Sequence, residues 1–73
     1  MIVTMRHVRT IPYFRARPGF CLPKTRTWFG EHGLDFAAFI REGLDEAVLL
    51  ATGDGMAEAL VRWAHECEAA NGQ

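Results

Sequence analysis

The clearest alternation of apolar and polar positions lies in the last third of the chain. Asp54 is a typical helix N-cap, and the apolar residues after it recur at helical spacing: Met56, Leu60, Trp63, Ala64 and Cys67. Charged residues fall on the opposite face, among them Glu58, Arg62, Glu66 and Glu68. The pattern predicts one amphipathic helix that runs from Asp54 to about Ala69, with a frayed tail over residues 70–73.

Two shorter helices are predicted before it. Asp35 can cap a helix whose apolar stripe ends at Gly43 and consists of Phe36, Phe39 and Ile40. Asp45 can cap a further turn or two, from Glu46 to Leu50, before Thr52 and Gly53.

The first half of the chain is less regular. Thr4 can cap a short helix through Met5 and Val8, although residues 2–8 also fit a brief strand. Residues 12–23 contain all three prolines and Gly19, which predicts an irregular loop. Pro23 in a first turn and Gly33 beyond a helix end predict a helix over residues 24–32, with Trp28 and Phe29 as its apolar face.

The predicted fold is therefore all-α, a compact array of four or five short helices with an irregular proline-rich basic loop near the N-terminus. A chain of 73 residues leaves room for one small domain. Its expected parts are a basic segment and loop over residues 1–23, a helical body over residues 24–69 and a frayed tail over residues 70–73.

Composition excludes several classes of protein. Hydrophobic residues make up 49% of the chain, which is typical of a globular protein. The longest apolar run covers residues 47–51, and Arg6 and His7 interrupt the N-terminus, so we expect neither a membrane span nor export. Only two cysteines occur, Cys21 and Cys67, and we expect both to be free thiols in a reducing cytoplasm.

Charge is divided unevenly along the chain. Residues 1–30 carry six cations and no acid, whereas the rest of the chain holds nine acids and two arginines. Such asymmetry is typical of a basic arm beside an acidic body.

Aromatic and basic residues alternate in the predicted loop. Arginine and tyrosine are frequent interface anchors, and neighbouring prolines lower the entropy lost on binding. We predict a partner-facing patch formed by Tyr13, Phe14, Arg15 and Arg17. The same composition fits nucleic-acid contact, and it also fits neutralisation of the acidic half of the chain by the arginines.

Catalysis and metal binding find little support. The chain contains no serine, and residues 52–55 lack the lysine of a phosphate-binding loop. His65 and Cys67 stand two residues apart on a predicted helix and point in different directions, and no C-x-x-C or H-x₃-H pair occurs. We expect no enzymatic activity, no metal and no cofactor.

Two stretches combine aromatic and glycine residues in a specific order: Trp28-Phe29 with His32-Gly33-Leu34-Asp35-Phe36 and Phe39, and Thr52-Gly53-Asp54 with Met56-Ala57. Through them the region from Trp28 to Ala64 resembles a group of small, mostly uncharacterised proteins that tailed bacteriophages and prophages encode among genes for virion parts. The spacing of Trp28, Phe36, Phe39 and Leu49-Leu50 is also similar to that of sterile alpha motif domains, which are helical interaction modules.

These resemblances imply a phage morphogenesis or virion-associated protein without enzymatic activity. We expect a protein–protein interaction module that acts in the cytoplasm of the host cell or within a virion. Its partners would be phage structural proteins or further copies of itself. The alternative is a nucleic-acid-binding regulator that acts through the basic residues 1–30.

Overall fold

Helices dominate the computed structural model of the chain, which describes residues 1–12 and 19–71. Within these ranges there are five helices and one two-stranded sheet. In chain order the elements are β1 (Ile2–Val3), α1 (Met5–Thr10), α2 (Leu22–Glu31), α3 (Phe36–Glu42), β2 (Leu44–Asp45), α4 (Glu46–Leu50) and α5 (Gly55–Asn71). The predicted helical character is confirmed, but the strict all-α prediction is wrong because of the sheet.

The sheet joins the N-terminus to the middle of the chain. β1 and β2 pair antiparallel, with Ile2 opposite Asp45 and Val3 opposite Leu44. The approach is so close that a Cβ on Gly43 would lie 2.6 Å from the Ile2 side chain and 2.8 Å from the Val3 carbonyl oxygen. Gly43 also has φ +79°, a conformation that glycine adopts without strain. This glycine therefore permits the pairing that fully buries Val3.

The three predicted aspartate N-caps are confirmed. Asp35 Oδ1 accepts a hydrogen bond from the Ala38 amide at 3.0 Å, and Asp45 Oδ1 accepts one from the Ala47 amide at 2.8 Å. At the start of α5, Asp54 Oδ2 accepts from the amides of Met56 and Ala57. Each carboxylate pairs with amides that have no partner inside the helix, and its charge favours the positive helix end.

Helix boundaries differ slightly from those expected. α2 begins at Leu22, so that Pro23 lies in its first turn, and α5 continues to Asn71. At the N-terminus, Thr4 precedes α1 and its amide donates to His7 Nδ1 at 3.0 Å. Both a short helix and a strand are therefore present in a segment that fitted either.

The chain returns to α1 just before α2. The Gly19 amide donates to the Ile11 carbonyl at 2.7 Å, and the Phe20 amide donates to the Val8 carbonyl at 3.0 Å. A Cβ on Gly19 would lie 2.6 Å from the Arg9 carbonyl oxygen. These contacts fix the start of α2 against the end of α1.

The core lies where these elements meet. Its largest fully buried side chains are those of Phe29, Phe39, Leu49, Val3 and Val8. The rings of Phe29 and Phe39 have centroids 4.8 Å apart, and Phe36 lies 5.1 Å from Phe29. This aromatic cluster joins α2 to α3.

The predicted buried face of α5 needs a correction. Its buried residues are Ala57, Leu60, Val61 and Ala64, whereas Met56 is 41% exposed and Trp63 and Cys67 are only partly buried. α5 packs against α1, α4 and β1, and the small alanine side chains allow neighbouring backbones to come close. The large side chains of Met56 and Trp63 therefore lie at the edges of the packed stripe.

Candidate functional site

The residues predicted to face a partner lie outside the described part of the chain. Tyr13, Phe14, Arg15 and Arg17 all belong to residues 13–18. Their role as a partner-facing patch stays a prediction.

An apolar groove lies between α2 and the start of α5. It has a volume of about 630 Å³, within the range of about 300–1,000 Å³ that is usual for binding pockets. We call it the α2–α5 groove. Its lining residues are Phe20, Cys21, Pro23, Lys24, Thr25, Thr27, Trp28, Phe29, Glu31, Leu49, Met56, Ala57 and Leu60.

The floor of the α2–α5 groove is made of core residues. Phe29 from α2, Leu49 from α4 and Leu60 from α5 are each less than 5% exposed. Ala57 leaves space on the α5 side, because its side chain is a single methyl group. These floor side chains are already buried, so the apolar surface that an occupant would cover lies on other lining residues, Pro23, Trp28 and Met56 among them.

Met56 and Cys21 form parts of its edge. Met56 is 41% exposed on the first turn of α5. Methionine is flexible and polarisable, and it is common at surfaces that adapt to a partner. Cys21 is a free, partly buried thiol immediately before α2.

Charges mark the α2 wall of the groove. Lys24, Trp28 and Glu31 follow one another at i, i+4 and i+7, so they share one side of the helix. Lys24 and Glu31 are exposed, and neither forms an ion pair within the described residues.

These two charges oppose the dipole of α2. Lys24 lies in the first turn, where the helix end is positive, and Glu31 ends the helix, where it is negative. Each placement costs about 0.3–1 kcal/mol relative to the opposite charge. Helix stability therefore does not explain why these residues stand where they do.

Trp28 has an unsatisfied polar atom. Its Nε1 is buried and has no hydrogen-bond partner within the described residues. The indole stacks on the His32 ring at a centroid distance of 4.2 Å, and it meets Phe29 edge to face at 5.4 Å. A buried donor without a partner costs about 1–3 kcal/mol, so packing around Trp28 must outweigh this loss.

Basic side chains of the first half do not neutralise the acidic half in the described residues. Arg6, Arg9 and Lys24 are exposed and form no ion pair there. Arg26 lies over the Phe36 ring, with its guanidinium carbon 5.7 Å from the centroid. These cations remain accessible to an external anion or carboxylate.

Other polar clusters offer no metal site. His65 Nε2 pairs with Glu46 Oε2 and thereby links α5 to α4. Within residues 1–12 and 19–71, no three histidine, cysteine or acidic side chains are placed to hold a metal ion. Cys21 and Cys67 are not bonded to each other.

Sequence reasoning missed the α2–α5 groove for two reasons. It placed Met56 in the core because of its helical spacing, and it treated Lys24 only as part of a general positive charge.

Comparison with known proteins yields no relative: no family model, no curated protein and no solved structure matches the chain. Over the described residues, none of the helices combines the length and apolar character that crossing a bilayer requires.

Proposed function

We propose that this chain is a non-enzymatic protein–protein interaction module and that the α2–α5 groove is a surface on which it docks. The observation that carries the proposal is an open groove of about 630 Å³ with an apolar floor on a chain of 73 residues. Large apolar concavities on small proteins mark interaction sites, since leaving them exposed to water is unfavourable.

Further exposed apolar side chains support an interaction role. Among the residues that the structure describes, six large apolar side chains are at least 38% exposed: Ile2, Leu22, Ile40, Val48, Leu50 and Met56. A small core commonly supplies only about 3–5 kcal/mol, so association with itself or another protein adds stability that the monomer lacks.

The proposed setting is a phage particle or its assembly in the host cell. It rests on the resemblance of the region from Trp28 to Ala64 to small proteins of tailed phages. The partner would then be a structural protein of the particle or a further copy of this chain.

Site-specific photocrosslinking in the cells that express the chain tests the proposed function. A photoreactive p-benzoylphenylalanine replaces Met56 at the edge of the groove, and in a control it replaces Arg62, an exposed α5 residue that does not line the groove. We expect a discrete heavier adduct from position 56 and none from position 62. No adduct from either position, or equal adducts from both, would contradict docking through this groove.

The second candidate function is nucleic-acid binding through residues 1–30. It is favoured by the accessible cations Arg6, Arg9 and Lys24, which have no acidic partner in the described residues. Binding to phosphates would weaken with salt by about 0.9 in log–log slope for each phosphate contacted on duplex DNA. No retention of duplex, single-stranded DNA or RNA at about 50 mM salt would exclude this function.

A further inference from the structure

We infer that His7 makes the attachment of the N-terminal strand proton-sensitive: a proton on its Nδ1 frees residues 1–4 from β2, while the described helices stay assembled. This switch does not depend on what docks in the α2–α5 groove. Three features of the structure support it: the acceptor that caps α1, the charges around His7 and the unequal contacts at the two ends of α1.

A histidine occupies a capping position that usually holds a glutamate or a glutamine. In a capping box the third residue of the helix accepts the amide of the N-cap residue, and here His7 Nδ1 accepts the Thr4 amide at 3.0 Å. A neutral imidazole has one acceptor nitrogen, and protonation turns that nitrogen into a donor. This bond at the start of α1 therefore exists only while Nδ1 carries no proton.

The closed structure accommodates a protonated His7 ring poorly. The ring is buried, Arg6 adds a like charge, and Glu68 on α5 is the acid whose charge favours the proton. Of the two strands, β1 has no titratable side chain, and the Asp45 carboxylate of β2 caps α4. Thr4 Oγ1, 3.4 Å from Nδ1, can accept the new proton, but the Thr4 amide still loses its acceptor. Withdrawal of residues 1–4 relieves both costs, because it brings the amide and the ring into contact with water.

The C-terminal end of α1 is fixed independently of His7. The backbone amides of residues 19–20 donate to the carbonyls of Val8 and Ile11. Trp63 Nε1 on α5 donates to Thr10 Oγ1. None of these bonds involves a histidine, so mild acid leaves them in place.

The strand β1, in contrast, has few bonds of its own. Two residue pairs join it to β2, and the Glu46 amide donates to the Met1 carbonyl at 3.0 Å. Burial of Val3 is the main further contact. Short terminal segments with few contacts open at a lower free energy than the core. Loss of the cap at Thr4 therefore raises the open fraction of β1 before the helices respond.

Residue-resolved amide hydrogen exchange of the full chain, followed by NMR at about pH 7 and about pH 5, tests the switch. Protection factors are corrected for the intrinsic pH dependence of exchange. The Glu46 amide reports release of the strand, because its acceptor is the Met1 carbonyl. The Phe20 amide, whose acceptor is the Val8 carbonyl, is the internal reference. We expect the protection of Glu46 to fall by at least about threefold on acidification, and that of Phe20 to change by less than about twofold.

Variants assign the effect to His7. His7→Gln keeps an acceptor for the Thr4 amide but does not titrate, so its Glu46 protection should not vary over this pH range. Glu68→Gln removes the acid that favours the proton in the closed state, so it should increase the loss of Glu46 protection at about pH 5. Glu66→Gln, an exposed position on the same helix, is the matched control and should behave as the wild type.

Three results would overturn the inference. The first is a joint loss of protection at Glu46 and Phe20, which would mean that the fold opens as one unit. The second is a Glu46 amide that stays protected over this pH range, whatever the imidazole shifts of His7 show about its protonation. The third is a His7→Gln chain whose Glu46 amide still loses protection in acid. The first two are read from the wild type alone, so a variant that fails to fold leaves the test intact.

Discussion

The buried ring of His7 is neutral and hydrogen-bonded. His7 is 8% exposed, and its Nδ1 accepts the Thr4 amide, so the neutral ring carries its proton on Nε2. Burial lowers the pKa of His7 below its ordinary value of 6.5, Arg6 lowers it further, and Glu68 opposes them. Protonation of Nδ1 would break the hydrogen bond that begins α1.

This pKa shift predicts how stability depends on pH. Because the folded pKa of His7 is depressed, the unfolded chain binds this proton more readily. The contribution of neutral His7 is full above about pH 6.5 and decreases as the pH falls toward the lower folded pKa. We expect thermal melts between about pH 7.5 and about pH 5 to show this loss.

His7→Gln is the matched control, since glutamine can accept the Thr4 amide and does not titrate. Its melting temperature should fall less than that of the wild type over the same pH range. Identical pH slopes in the two proteins would contradict the assigned role of His7.

The two tryptophans differ in the hydrogen bonding of their indole nitrogens. Trp63 Nε1 donates to Thr10 Oγ1 at 3.0 Å, whereas Trp28 Nε1 is buried without a partner in the described residues. Trp63→Phe loses a hydrogen bond, while Trp28→Phe removes an unsatisfied donor. We expect Trp63→Phe to lower the free energy of unfolding by about 1 kcal/mol more than Trp28→Phe, as measured by chemical denaturation. A larger loss at Trp28 would contradict this account.

At the scale of elements, local signals were predicted well. The capping residues Asp35, Asp45 and Asp54 were identified from sequence because a cap acts on amides only two or three residues away. Thr4 was also placed correctly at the N-cap position of α1. Pro23 was placed correctly in the first turn of α2 for the same reason.

Features that depend on distant residues were not predicted. β1 and β2 have two residues each, too short for an alternating pattern, and their pairing joins residues about forty positions apart. The buried stripe of α5 includes Ala57 and Ala64, whose small side chains give a weak hydrophobic signal. The α2–α5 groove arises from how two helices lie relative to each other, which periodicity within one helix does not report.

Two glycines provide a test of element geometry. Gly30 lies within α2, and a Cβ there would meet nothing within 4 Å, so Gly30→Ala should raise the free energy of unfolding by about 0.5–1 kcal/mol. Gly43→Ala should lower it by about 1–3 kcal/mol, because Gly43 has φ +79° and its Cβ would strike β1. Denaturant titration measures both effects. Equal effects of the two substitutions would contradict the close packing of Gly43 against β1.

At the scale of the whole molecule, the fold combines a basic first part with an acidic remainder. Cations of the described first part form no ion pairs with the acids. Ion pairs between the two parts therefore do not stabilise the described fold. Free charges of one sign speed the approach of an oppositely charged partner, whereas the exposed apolar side chains that line the α2–α5 groove, Pro23 and Met56 among them, supply burial after contact. Electrostatics and the groove thus have separate roles in the proposed docking.

Amide hydrogen exchange tests docking in the α2–α5 groove most directly. The free chain is compared with the chain bound to the protein identified by crosslinking at position 56, and mass spectrometry locates the protection. We predict slower exchange in Leu22–Glu31 and in the first turns of α5, with little change toward its C-terminal end. Unchanged exchange in α2 and at the start of α5, with protection confined to other segments, would contradict docking in this groove.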